Sequence, residues 1–143
     1  MLTMHPGTDI TALELAIMLH PADAAELDAA GQCVERVLQG VKLTELRNGT
    51  DLVCAFGLQP GDGYGVPWML CTSEVERVPR HAMAAVSRRV VDGWKAEHAM
   101  LMNLVHAHNQ RAIRFVQWLG FTVDRRPCGP GGEFFPFWWR RNV

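Results

Sequence analysis

Apolar residues recur along the chain with the two spacings that distinguish helices from strands. Helical spacing is clearest where Ala112, Phe115 and Leu119 follow one another at i, i+3 and i+7. Asn109 is a suitable N-cap for this segment, and Gly120 can end it in a left-handed conformation. The pattern therefore predicts a short helix that begins after Asn109 and ends before Gly120.

The same two spacings predict the remaining elements. Strands are expected at 11–19, 43–47, 51–58, 66–72, 101–106, from 121 onward and at 134–139, and helices at 20–31, 34–38 and 79–99. The first strand is read from the alternation of apolar residues, and residues 1–9 are expected to form an irregular lead-in. In the long helix, the stripe expected to be buried comprises Met83, Val86, Val90 and Trp94. Because Pro136 cannot donate to a ladder, the last strand is expected at a sheet edge or with a bulge.

Composition narrows the class of protein. The chain has 143 residues, 48% of them hydrophobic, which fits a single packed domain over 1–143. The net charge of −1 gives no general attraction to nucleic acid or to a membrane surface. Four cysteines are scattered without a Cys-x-x-Cys pair, so reduced thiols are expected. We expect neither a leader nor a membrane-spanning run, and we expect the protein to be soluble and cytoplasmic.

The segment Asn109-x-x-Ala112, followed by Leu119-Gly120-Phe121, resembles the fourth helix and following strand of the GNAT superfamily of acetyl-CoA-dependent N-acyltransferases. The predicted element order is that of the GNAT fold. The resemblance implies an α/β fold, with a mixed central sheet of about six or seven strands flanked by about four helices. It also implies an enzyme that moves an acyl group from acetyl-CoA or another acyl-CoA to an amine.

Several segments narrow the resemblance to a small GNAT-related family from tailed bacteriophages, whose members are labelled internal virion protein A or acetyltransferase. They are Met18, Asp23–Glu26, Pro67-Trp68-Met69-Leu70-x-Thr72, His108-Asn109-x-x-Ala112-Ile113-Arg114-Phe115 and Gly132-x-Phe134-x-x-Phe137. This likeness implies a protein of the infected host's cytoplasm or of the virion.

The GNAT resemblance also implies residues that bind acyl-CoA. The candidates along the pantetheine arm are Leu70, Cys71 and Thr72, and those at the pyrophosphate are Arg77, Arg80 and His81. Asn109 and Ala112, at the start of the helix that ends before Gly120, are further candidates. In the family, a glycine-rich turn brings backbone N–H groups to the pyrophosphate. The corresponding segment 72–81 contains no glycine and carries Glu74 and Glu76, so Arg77 and Arg80 would have to hold the anion by side-chain contacts.

Proton transfer needs a titratable group near the acceptor amine. Val116 occupies the position where many GNAT enzymes carry a tyrosine general acid, and valine cannot take that role. His106 and His108 lie at the end of a predicted strand and are the candidate catalytic residues, because histidine changes charge near neutral pH. The His-x-His spacing alone does not indicate a metal site, since no further ligand lies at suitable spacing.

Two alternatives to catalysis stay open. A GNAT-shaped protein without transferase chemistry could act by contact in virion assembly or on a host protein, through the aromatic strand 134–139. A protein of this shape could also sense acyl-CoA without turnover. The missing glycine turn and Val116 motivate the contact-based alternative, and acyl-CoA sensing lies between it and catalysis.

Overall fold

The computed structural model describes residues 1–142, which form an α/β fold of seven strands and five α-helices. The strands are β1 (Leu2–Pro6), β2 (Thr44–Asn48), β3 (Asp51–Pro60), β4 (Gly65–Cys71), β5 (Met100–His106), β6 (Thr122–Val123) and β7 (Phe134–Arg140). The helices are α1 (Asp9–Met18), α2 (Pro21–Ala29), α3 (Val34–Leu38), α4 (Arg80–Glu97) and α5 (Gln110–Trp118). Two short 3-10 turns cover Ser73–Arg77 and Pro130–Gly132.

The strands form one mixed sheet in the order β1-β2-β3-β4-β5-β7-β6, which confirms the predicted fold class. Antiparallel pairs join β1 to β2, β2 to β3, β5 to β7 and β6 to β7, whereas β4 and β5 pair in parallel. The chain divides into two compact units. The N-terminal unit comprises Met1–Leu58 and Trp68–Arg80, and the C-terminal unit comprises Gln59–Pro67 and the chain from His81.

The N-terminal unit packs its helices on the sheet through one apolar cluster. The buried members of this cluster are Leu15, Val34, Leu38, Leu52, Ala55 and Leu70. Trp68 packs against the cluster and lies over Gly57, where an added Cβ would come within 2.8 Å of the indole. Glycine is required there because a side chain would displace the Trp68 ring.

The start of the chain corrects two sequence predictions. Residues 2–6, expected to be irregular, form β1, and the expected strand at 11–19 is helix α1 over Asp9–Met18. Apolar residues occur all around this segment, so alternation and helical spacing fit it equally well. The Thr8 side chain accepts from the Ile10 N–H group and thus caps a helix here. Helical geometry buries Leu15 and leaves Leu13 59% exposed.

The C-terminal unit confirms the helix predicted between Asn109 and Gly120. The Asn109 side chain accepts a hydrogen bond from the Ala112 N–H group, and Gly120 has φ of +98° just beyond α5. In α4, however, Val91 is the buried residue, and the predicted stripe is only half-buried. Among residues 1–142, no helix combines the length and apolar character needed to cross a membrane.

Strand β7 is not at the sheet edge and its register against β5 is continuous, so the prediction of an edge position or a bulge from Pro136 is wrong. It pairs with β5 over seven positions and with β6 at two. The carbonyl of Pro136 accepts from the Asp124 N–H group at 3.0 Å, just where β6 has ended. An interior strand therefore tolerates the proline, because no strand residue lies opposite its missing donor.

Candidate functional site

The backbone of β4 determines what this strand can offer to a ligand. The Thr72 N–H group donates to the Val53 carbonyl of β3 at 2.9 Å. Because neighbouring residues of a strand direct their backbone groups to opposite sides, Leu70 also faces β3. Met69 and Cys71 therefore direct their N–H and C=O groups to the other side. Leu70, a predicted cofactor residue, places its side chain in the apolar core.

The beginning of β4 shows why regular pairing does not continue on this other side. Within residues 1–142, the pairing of β4 with β5 comprises Gly65 and Leu101. Pro67 has no N–H group, and its carbonyl accepts instead from the Asn103 side-chain amide at 2.6 Å. The side-chain oxygen Oδ1 of Asn103 in turn accepts from the Leu104 N–H group at 2.7 Å, and this bond fixes the orientation of the side-chain amide. A side chain thus replaces the strand ladder at Pro67.

Met69 is the backbone position left open. In the described chain, the pairing of β4 with β5 does not extend to this residue. Its side chain is half-buried. Backbone polar groups that lose water need another partner. An extended ligand that carries an amide can supply one by pairing with Met69 as a strand would.

The next position on the same side, Cys71, is engaged within the protein. Its N–H group donates to Oδ2 of Asp23 at 2.7 Å, and its carbonyl accepts from the His20 N–H group at 2.8 Å. His20 also lies 2.8 Å from Glu76 through Nε2. Cys71, a predicted cofactor residue, therefore presents backbone groups that already have partners.

The turn after β4 carries two arginine side chains that an anion could contact. Thr72 is fully buried, and its hydroxyl donates to the Leu52 carbonyl at 2.6 Å and accepts from the Glu74 N–H group. Arg77 lies 3.5 Å from Glu74, with 78% of its side chain exposed. Arg80 is exposed at the first position of α4. No glycine allows the close backbone approach that a pyrophosphate uses.

The two candidate catalytic histidines lie side by side in the C-terminal unit. Their ring centroids are 5.5 Å apart in an edge-to-face arrangement. The His108 N–H group donates to Nδ1 of His106 at 3.2 Å, and Nε2 of His106 lies 3.8 Å from Glu133. His106 is thus hydrogen-bonded at Nδ1 and lies near a carboxylate at Nε2, whereas His108 is exposed and its ring makes no hydrogen bond within the described chain. Of the two rings, that of His108 is therefore the more accessible to a ligand.

Glu133 was not identified from the sequence, because no local pattern connects it with His106. The turn that places it contains three glycines with positive φ, namely Gly129, Gly131 and Gly132. Such a cluster predicts a tight turn. It does not show which side chain the turn presents, since the Glu133 contact joins residues that are far apart in sequence.

The remaining predicted residues lie on α4 and α5. His81 lines an open pocket of about 570 Å³ with Arg88, Arg89 and Trp118 among its walls. The guanidinium of Arg88 lies 4.2 Å from the centroid of the Trp118 ring. The Ala112 N–H group is taken by the capping bond to Asn109. Within residues 1–142 no group of three potential metal ligands occurs.

Comparison with solved structures identifies the fold as that of the GNAT-family acetyltransferases. An acetyltransferase from Thermus thermophilus superposes with a TM-score of 0.69 at 19% identity, over 98% of this chain and 97% of that one. The PaiA N-acetyltransferase from Thermoplasma acidophilum, solved with coenzyme A, gives 0.68 at 10% identity over 99% of both chains. Spermidine N-acetyltransferase from Vibrio cholerae, solved with CoA and spermine, gives 0.69 at 8% identity over 97% and 95%. No protein-family model and no curated protein matches the chain.

Proposed function

We propose that this protein is an N-acyltransferase that binds acetyl-CoA or another acyl-CoA and moves its acyl group to an amine. The observation that carries the proposal is the open backbone of Met69 on β4. Pro67 and Asn103 replace the ladder before this residue, and Asp23 occupies the amide after it. The neighbours solved with CoA support the same ligand class, since they share the fold over nearly the whole chain.

The residues present fit one part of an acyl-CoA better than the other. The N–H and C=O groups of Met69 match a secondary amide, and the pantetheine arm contains such amides. The glycine-free turn does not match a pyrophosphate bound by backbone, so exposed Arg77 and Arg80 would hold that part. When bound, an acyl-CoA supplies an activated thioester, and the chain supplies alignment and a proton acceptor.

Within this proposal, His108 takes the proton from the attacking amine. Its imidazole is exposed and has no hydrogen bond in the described chain, whereas Nδ1 of His106 accepts from the His108 amide and Nε2 lies 3.8 Å from Glu133. General bases of this kind contribute about 10²- to 10⁴-fold to a rate. His106 then orients the turn that carries His108.

Calorimetric titration with acetyl-CoA tests the binding step. We expect saturable binding in the wild type and a comparable Kd in His108→Ala. Turnover with a panel of amines, followed by release of free thiol, should fall by at least about 100-fold in His108→Ala. Arg111→Ala, at an exposed position on α5, serves as a matched surface control. Absence of binding at millimolar acetyl-CoA would contradict the proposal.

The phage setting rests on the sequence resemblance alone, and we propose it on that basis. No observation favours the contact-based alternative through strand β7. Phe134 and Phe137 are buried, and the other aromatic residues of the strand are half-buried. Co-purification from infected cells, compared between wild type and Trp138→Ala, would detect a partner at this strand.

A further inference from the structure

The bond between the Asp23 carboxylate and the Cys71 amide lies directly beside the open backbone position on β4. We infer that Asp23 competes with the acyl carbonyl of a bound thioester for the Cys71 N–H group, and so determines how the acyl group is positioned. This inference rests on the proposed function, because it requires an acyl-CoA to pair with β4.

Two residues of the α2 N-terminus hold the backbone of Cys71 in place. Asp23 lies in the first turn of α2, and its Oδ2 is 2.7 Å from the Cys71 nitrogen. His20, the N-cap of the same helix, donates its own N–H group to the Cys71 carbonyl at 2.8 Å, and Nδ1 of its ring accepts from Ala22. Hydrogen bonds to an ionised carboxylate are stronger than those to a neutral carbonyl. Asp23 is therefore the preferred partner of this amide.

The spacing along β4 matches the chemistry of the ligand. Met69 and Cys71 are two residues apart on one side of the strand, which corresponds to about 6.6 Å. In an acyl-CoA, five covalent bonds separate the carbonyl carbon of the amide nearest the sulfur from the thioester carbonyl carbon. The comparable carbonyl repeat of an extended peptide spans six bonds. A ligand amide paired with Met69 would therefore place the thioester carbonyl near the Cys71 N–H group.

An amide that donates to the thioester carbonyl would stabilise the negative charge that develops there during transfer. While Asp23 holds the Cys71 amide, the acyl group gains nothing from it. Acetyl-CoA and free CoA should therefore bind the wild type with similar affinity. Removal of the carboxylate should strengthen the binding of acetyl-CoA alone, by about 2- to 10-fold for one net hydrogen bond.

Calorimetric titration of acetyl-CoA and of CoA into wild type, Asp23→Ala and Asp23→Asn provides the test. In Asp23→Ala the ratio of the two Kd values should shift toward acetyl-CoA by about 2- to 10-fold. Asp23→Asn is the matched variant, because its side-chain oxygen can still accept from Cys71. Its ratio should stay near that of the wild type. A merely structural role for Asp23 would change both Kd values together and leave the ratio unchanged.

A measurement on the wild type keeps the inference testable if Asp23→Ala fails to fold. In ¹⁵N-labelled protein, the Cys71 amide resonance should respond equally to CoA and to acetyl-CoA. A response specific to the acetyl group would overturn the inference, as would an unchanged Kd ratio in folded Asp23→Ala. If neither the wild type nor the variants bind CoA or acetyl-CoA, the proposed function fails as well. Binding with an unchanged ratio of the two Kd values overturns the role of Asp23 alone.

Discussion

The two units supplement their apolar cores with different kinds of contact. In the N-terminal unit, a polar network connects α1 with β2. The Thr11 hydroxyl of α1 donates to Glu45 of β2 at 2.6 Å. Arg47 contacts Glu45 at 2.7 Å and Glu14 at 2.8 Å, and Glu45 is buried. Buried charges are tolerated only when they are paired and hydrogen-bonded. The attachment of α1 therefore depends on several groups at once.

In the C-terminal unit the supplementary contacts join two aromatic rings, or a ring and a cation. Phe121 and Phe137 meet edge to face at 5.2 Å, and the Lys95 ammonium lies 5.3 Å from the centroid of the Trp139 ring. Its ion pair between Arg126 and Asp124 is at the surface, where Arg126 is 90% exposed. Aromatic contacts do not depend on the protonation of carboxylates. The difference indicates that acid should weaken the N-terminal unit first.

The largest loss of stability should follow the substitution of a fully buried apolar helix residue. Each unit offers one such residue for comparison. Leu15 on α1 and Ile113 on α5 both have 0% exposure. Substitution of either by alanine should lower the free energy of unfolding by about 4 kcal/mol, because it leaves a cavity. Urea unfolding followed by hydrogen exchange checks whether both units lose protection together. Leu13→Ala, 59% exposed on α1, is the control, and a loss as large as that of Leu15→Ala would contradict the helix assignment.

The next effect should come from Arg47→Met, which leaves Glu45 buried without its cation. We expect a loss of about 3 kcal/mol, because an uncompensated charge remains inside. Arg126→Met removes an equivalent cation at the surface and should cause no measurable change. Urea unfolding at low and high salt distinguishes the two pairs. Equal effects of the two substitutions would show that the polar network does not stabilise the N-terminal unit.

A smaller effect should appear as a dependence on pH. The hydrogen bond from Arg47 lowers the pKa of the Glu45 carboxyl below its ordinary value, and the hydrogen bond to Glu14 raises the pKa of Arg47. The stabilisation is therefore fully present above the pKa of unfolded Glu45, about 4.3, and disappears as pH falls through the lower folded value. The difference in unfolding free energy between wild type and Glu45→Gln should narrow as pH falls from 7 toward 3. Parallel curves would contradict this linkage.

The sequence predicted those elements whose signals are local. Helix α5 was found because its cap, its apolar spacing and its terminal glycine occur within a few residues. Helix α1 was assigned wrongly because its apolar residues fit both periods. What selects the helix is the Thr8 cap together with the contact between Thr11 and Glu45, and the latter joins residues 34 positions apart.

The same distinction applies to the candidate site. Sequence resemblance selected the end of β4, yet it could not show that Cys71 is engaged by Asp23, 48 residues away. The openness of Met69 follows from which side of β4 faces β3, and that requires the strand order. Glu133 was missed for the same reason. Contacts between distant segments therefore decide which of the selected residues can meet a ligand.

The smallest loss of stability should come from substitution of the helix N-caps. One cap in each unit makes the same kind of hydrogen bond, so the two units can be compared directly. Asn109→Ala at α5 and Thr8→Ala at α1 each remove a side-chain oxygen that accepts from an N–H group in the first turn of the helix, at 3.2 Å in both cases. Each should cost about 1 kcal/mol in urea unfolding. Asn109→Asp keeps an acceptor at the cap and should retain most of the stability. The Thr8 N–H group also donates to the Thr11 hydroxyl, so a larger loss for Thr8→Ala would show that the cap and the polar network of α1 act as one unit.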